Sequence, residues 1–239
     1  MRKKLCMLLA LVMLLGISTI GVCARTTVTT TLGAGFYKET MQDTASGLTV
    51  THVTDSSVKA IEKGGKDYFY FESEKLEVSC AATKGKQYLV MLVTGTFETA
   101  PTSTNEILYI NQITATGTTV SFSGDDCVYP NLEDVAADTE LTLLITSDGG
   151  NAMKKTTFYY GKGSYEVISY MLGDVNEDGK VNSSDASWVL QSEAQLRTLT
   201  VSQQLAGNVT SGDTKVNSSD ASYILQFEAQ LIKKFPIEN

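Results

Sequence analysis

Asp174, Asn176, Asp178, Asn182 and Asp185 place oxygen-bearing side chains at positions 1, 3, 5, 9 and 12 of a twelve-residue window. Gly179 falls at position 6, where the chain must turn sharply, and the Lys180 carbonyl falls at position 7. Every donor in this set is a hard oxygen, and calcium takes about six to eight of them. The spacing therefore predicts a calcium loop. Position 12 is Asp, whose shorter stem reaches an ion less easily than the Glu common there. A single window of this kind is also what an acidic, solvated turn produces, so its surroundings matter.

Those surroundings are duplicated. VNSSDASWVLQSEAQL (Val181 to Leu196) returns as VNSSDASYILQFEAQL (Val216 to Leu231), identical at thirteen of sixteen positions and offset by 35 residues. A repeat this tight makes the chance reading remote. The loop ahead of the second copy has drifted: Asn208 stands at position 1 and Thr210 at position 3. Counting back from Asp220 puts Asn217 at position 9, the Lys215 carbonyl at 7 and Asp213 at 5, with Thr214 in the glycine place. One residue is inserted near Ser211. Fewer formal charges and a distorted turn predict weaker calcium binding here than at the first loop.

Each loop runs into a helix. Ala186, Val189, Leu190 and Ala194 share one face at three-to-four spacing. No helix leads in, because YEVISYML (Tyr165 to Leu172) reads as strand or loop, whereas an EF-hand has helices on both sides. A loop with only its exiting helix, made twice, followed by the hydrophobic tail KKFPIEN, resembles a type I dockerin across Met171 to Asn239. The resemblance implies a calcium-stabilised module that plugs into a cohesin domain of a scaffoldin in a cellulosome-like assembly. It implies that loop positions 10 and 11 decide partner choice, which here are Ser183 and Ser184, then Ser218 and Ser219. It also implies contacts from Leu190, Gln191 and Gln195, with Leu225, Gln226 and Gln230 as their counterparts. The serines are good helix N-caps in any case. Because the copies match at all these positions, either helix is expected to serve after a half-turn of the module. Val181, Val216, Ala186, Ala221, Val189 and Ile224 are expected to pack the halves together, with Phe235 and Pro236 clasping the tail near the module's start.

Ahead of this module, residues 25–164 read as all-β. LTVTHV, DYFYF, KLEVSCA, QYLVMLV, ILYINQI, TTVSFSG, ELTLLIT and TTFYYG are short β-branched or aromatic runs separated by turn material. Seven to nine strands predict an immunoglobulin-like sandwich, with 165–170 as linker and 171–239 as the dockerin-like module. Most of the carboxylates from Glu72 to Asp148 fall at polar turns or alternate outward, and none sits in a catalytic signature. His52, the single histidine, has no nucleophile motif beside it. A non-catalytic subunit is the expectation. Tyr37, Tyr68, Tyr70, Tyr109, Tyr129, Tyr159 and Tyr160 leave open a polysaccharide-binding platform, and a cohesin-like adaptor or an enzyme is a further alternative.

Arg2, Lys3 and Lys4, the apolar run from Leu5 to about Ile20 and the VCA ending predict a signal peptide over 1–24. Secretion follows, with no membrane insertion after cleavage and attachment to the cell surface through the scaffoldin. Losing those three positive charges takes the net charge from −8 to about −11. Such acidity argues against nucleic acid as a partner. Cys80 and Cys127 would remain in the secreted chain, where either a disulfide or two buried thiols fits.

Overall fold

The computed structural model describes residues 25–43, 48–52, 58–96, 106–128, 132, 134–147, 152–211 and 215–238. Among them are eleven strands: β1 (Thr27–Lys38), β2 (Gln42–Asp43), β3 (Leu48–His52), β4 (Lys59–Lys63), β5 (Lys66–Glu72), β6 (Leu76–Ala81), β7 (Gln87–Thr94), β8 (Ile107–Thr114), β9 (Thr119–Ser123), β10 (Glu140–Ser147) and β11 (Ala152–Ile168). Three helices follow: α1 (Ser183–Glu193), α2 (Val201–Gly207) and α3 (Ser218–Glu228).

Seven strands form one antiparallel sheet in the order β1-β5-β4-β11-β10-β7-β8, and β2-β3-β6-β9 form a second. Strand alternation turns Leu76, Val78 and Cys80 of β6 and Val120 and Phe122 of β9 toward Phe69, Phe71, Leu92, Leu143 and Phe158 of the larger sheet. The β domain is thus mainly antiparallel sheet with a core between two layers, as the strand pattern predicts at that level.

The larger sheet also closes on itself. β1 pairs with β11 and with β5, while β4 pairs with β5 and with β11, so four strands make a ring. Tyr70 fills its middle among Leu32, Tyr37, Ile61 and Tyr165. Its hydroxyl donates to the carbonyls of Gly33 at 2.6 Å and Gly161 at 3.0 Å. Gly161 leaves room for that ring, since a Cβ there would lie 2.5 Å from Tyr70 Cε2. At the β4–β5 hairpin, Gly64 and Gly65 hold φ values of 60° and 79°, the left-handed pair that a two-residue turn requires.

Two expectations need correction. The eight runs read from the sequence are all strands, but β1, β2 and β4 go unread: β1 is broken in pattern by Gly33 and Gly35, and β2 and β4 are short. The expected linker 165–170 begins inside a strand, because β11 continues to Ile168 and pairs there with both Thr27–Thr30 and Ala60–Glu62. Tyr170 then packs against the β core.

The helices form a second core of Val175, Ala186, Val189, Leu199, Val209, Ala221, Ile224 and Phe235, with Val181 and Val216 packed against it. Phe235 stacks on Phe227 at 4.7 Å and meets Gly173, where a Cβ would come within 2.8 Å of the ring. The expected packing of the halves is present, and of the two expected tail residues Phe235 makes the clasp. α2 has no counterpart in the sequence reading. Its Val201 and Leu205 enter the core of the β domain, so the helices are seated on the sheets rather than tethered to them. Among the described residues no helix is long and apolar enough to cross a membrane. Residues 1–24, where the signal peptide is expected, lie outside those described.

Candidate functional site

The first loop is built around two buried carboxylates. Asp174 Oδ1 accepts the Asp178 N–H at 3.0 Å, and Oδ2 accepts the Gly179 N–H at 2.9 Å. Asp185, fully buried, accepts the Asn176 N–H at 3.0 Å and the Asn182 N–H at 2.9 Å, one on each oxygen. These bonds bend the chain through Glu177 and Gly179, at φ 60° and 83°. A carboxylate oxygen has two lone pairs, so each of the four oxygens keeps acceptor capacity after its single N–H bond. Asp178 is exposed, receives the Lys180 N–H at 2.9 Å and sits beside Asn176. Burial pushes the Asp185 carboxyl above its ordinary pKa, the two N–H bonds pull it back, and the Asp174 and Asp178 charges push it up again. The neighbouring negative charges that push the Asp185 carboxyl up are ones that a cation would offset. The donor set is all oxygen and suits a hard cation. Among the described residues, no three His, Cys, Asp or Glu side chains are drawn together as a metal-holding group.

The second loop has the same frame with one aspartate oxygen more crowded. Asp220 Oδ1 accepts three hydrogen bonds, from the Val209 N–H, the Thr210 N–H and the Thr210 hydroxyl, at 3.0, 3.0 and 2.9 Å. Its Oδ2 accepts the Asn217 N–H at 2.9 Å. The Lys215 carbonyl, at ligand position 7, accepts the Asn217 amide at 3.1 Å. Asn208 is buried. Asp213 and Thr214 lie outside the described residues. Thr210 thus turns a donor toward the carboxylate where the first loop has Asn176.

Both helices start alike. Asn182 and Asn217 are N-caps in reciprocal capping boxes, each accepting the N–H two residues on and each backed by the buried Asp185 or Asp220. The capping role therefore falls to the asparagines, and Ser183, Ser184, Ser218 and Ser219 are exposed. Leu190 and Leu225 stand 45% and 43% exposed, large for apolar side chains on helices that already bury another face. Gln191 and Gln226 each donate to the serine one turn back, Ser187 and Ser222. Gln195 and Gln230 are exposed, with matching φ values of 59° and 58°. Sequence identity has become conformational identity.

The pattern reading did not anticipate the link between the first loop and the β domain. Glu177 accepts the Ser202 hydroxyl at 2.8 Å, and Ser202 is a buried residue of α2 between Val201 and Leu205. Ala206 of α2 accepts the Gly173 N–H.

In the β domain the expected tyrosine platform is mostly core. Tyr37, Tyr70 and Tyr160 are buried, while Tyr68 and Tyr159 are half-buried and packed on Tyr37. β5 lies between the main core and the ring interior, so Phe69, Tyr70 and Phe71 are all buried. Tyr129 and the side chain of His52 lie outside the described residues. Cys80 is a buried free thiol, raised in pKa by desolvation. A polar cluster unmarked in the sequence surrounds Asp138, at φ 68°. Asp138 accepts from Tyr37 at 2.9 Å and Tyr165 at 3.3 Å and pairs with Lys63. Burial raises the Tyr165 hydroxyl to about 12, with Asp138 adding to it.

Compared with known proteins, the chain matches no family model, no curated protein and no solved structure.

Proposed function

We propose that this chain is a secreted, non-catalytic subunit of a polysaccharide-degrading complex, held to a scaffoldin cohesin by a dockerin-like module. The observation that carries the reading is the pair of loop–helix units with the same cap, the same buried aspartate and the same exposed serine, leucine and glutamine positions. A core does not need that exposed identity, whereas a partner-facing surface does. Asp174, Asn176, Asp178, the Lys180 carbonyl, Asn182 and Asp185 would hold one calcium ion. The ion would draw the loop carboxylates together and hold α1 against α3. The second loop would bind calcium weakly or not at all, since Thr210 already meets Asp220. The immunoglobulin-like description of the sandwich belongs to this same reading.

The test is capture of the full chain on immobilised type I cohesin domains, with calcium and with a chelator. Calcium-dependent capture supports the proposal. A chain that takes up no calcium, or binds every cohesin equally poorly with and without it, overturns it. Isothermal titration of the same chain with plant polysaccharides, with product release assayed alongside, separates the alternatives: release of sugars makes it an enzyme, and binding without release makes it a targeting subunit.

A further inference from the structure

We infer that the edge strand β8 is a self-association surface: two copies of this chain pair their β8 strands antiparallel about a two-fold axis at Ile110, joining their larger sheets into one. The inference is independent of the proposed docking function and uses neither the loops nor the helices.

Among the described residues β8 pairs with β7 alone, whereas every other strand of the larger sheet has at least two partners. The Ala115 N–H donates to the Lys86 carbonyl, and the Ala115 carbonyl accepts the Gly85 N–H, so Ala115 turns both backbone groups toward β7. An antiparallel ladder alternates that direction residue by residue. Tyr109, Asn111 and Ile113 therefore face β7, while Ile110, Gln112 and Thr114 turn their N–H and carbonyl groups away from the sheet. Such an edge is a template for another strand unless charge, proline or a bulge spoils it. ILYINQIT carries no charge and no proline. Its register shift, at Leu92/Val93 of β7, falls at the start of β8 and leaves Tyr109–Thr114 regular.

The side chains select a second copy as the strand that fits. Ile110 stands opposite Met91, and Met91 opposite Leu144, an apolar row that runs out to the edge. Leu144 is fully buried, Met91 is 8% exposed and Ile110 is 57% exposed. Pairing about Ile110 sets that side chain against its own copy and continues the row across both chains. The ends add a charge match. Glu106 is exposed just ahead of β8, beside Thr94, and Lys84 and Lys86 lie in the turn beside Ala115 at the other end. Antiparallel pairing turns the acidic end of each copy toward the basic end of the other. The contact consumes the single-partner strand of each larger sheet, so this pairing closes at two copies. A single strand from each partner is a small interface against the roughly 800 Å² per side of a standard one, so the dimer should depend on concentration.

Sedimentation velocity of the full chain, from micromolar to millimolar concentration, should show monomer giving way to dimer. Ile110→Lys sets two lysines face to face and should raise the dimer's dissociation constant at least about tenfold. Its melting temperature should stay that of the parent monomer, because the side chain it replaces is already exposed. Ser121→Lys on β9, an edge strand of the smaller sheet, should leave the dimer unchanged. Ile110→Cys should give a disulfide-linked dimer on mild oxidation, since directly opposed residues of a hydrogen-bonded pair lie about 5.5 Å apart at Cα, within the span of a disulfide. Ser121→Cys, oxidised alongside, reads the background from the chain's own cysteines. A chain that stays monomeric throughout overturns the inference and leaves the edge to an extended segment of another protein. A dimer indifferent to Ile110→Lys, or cross-linking at Ile110→Cys no greater than at Ser121→Cys, overturns it as well.

Discussion

Asp185 and Asp220 occupy the same place in two copies of one sequence, yet their oxygens face different company. Asp185 holds one N–H on each oxygen, while Asp220 Oδ1 holds three donors. A cation competes with hydrogen-bond donors for lone pairs, so under the proposed calcium binding the first loop is the favoured one. Calorimetric titration should find one calcium site, lost in Asp174→Ala and retained in Asp220→Asn; loss in the second variant would move the site to the other loop. Asp138 supports a separate expectation. Partial burial disfavours its charge, but the Lys63, Tyr37 and Tyr165 contacts outweigh that and hold its folded pKa below the ordinary carboxylate value. Its contribution to stability is therefore complete above the unfolded pKa and disappears as pH falls through the lowered folded one. Asp138→Asn should unfold at lower temperature than the parent at neutral pH, and the two melting curves should converge in acid. Asparagine tolerates the left-handed backbone at this position, so the comparison isolates the charge.

At the scale of elements, the ring of β1, β5, β4 and β11 depends on one side chain. Tyr70 fills the interior, and its hydroxyl caps carbonyls on two different strands. Tyr70→Phe leaves Gly33 and Gly161 carbonyls short of a donor and should cost about 1–3 kcal/mol in urea unfolding. α2 is the other decisive element. It is only seven residues long, with a Thr200–Gln203 capping box, so its formation leans on the sheets that receive Val201 and Leu205. Leu205→Ala should cost about 2–5 kcal/mol. A cost near zero would mean that the helices sit on the β domain without being held there.

Across the whole molecule, the first loop, α2 and the β core are joined in series through Glu177, Ser202 and Leu205. A ligand that binds only the folded chain at one hundred times its dissociation constant adds about 2.7 kcal/mol of stability. Because the helices share a core with the sheets, calcium should raise one common melting transition, followed equally by Trp188 fluorescence and by strand circular dichroism. Two separated transitions, with only the tryptophan signal responding to calcium, would show that the units unfold independently.

The turn of the first loop was legible in the sequence because its groups are local: Asp174 and Asp185 take up N–H groups from the few residues between them. The eight strand runs were legible for the same reason, since alternation and turn residues act over a few positions. The pairing of Val189 with Ile224 followed from duplication. What the sequence left undecided depends on groups far apart in the chain. β1 reads as broken at Gly33 and Gly35, and only the arrival of Tyr70 explains why glycine must stand near it. Tyr70 and Phe69 alternate as though one faced water, and only ring closure buries both. α2 is too short to announce itself by periodicity, and its place depends on a hydrophobic surface made by other strands. Two copies identical in thirteen of sixteen positions look interchangeable. Only tertiary packing brings the end of the first copy, Glu193 and Gln195, and the start of the second, Val216 and Asn217, to one cleft beside Thr40 and Met41.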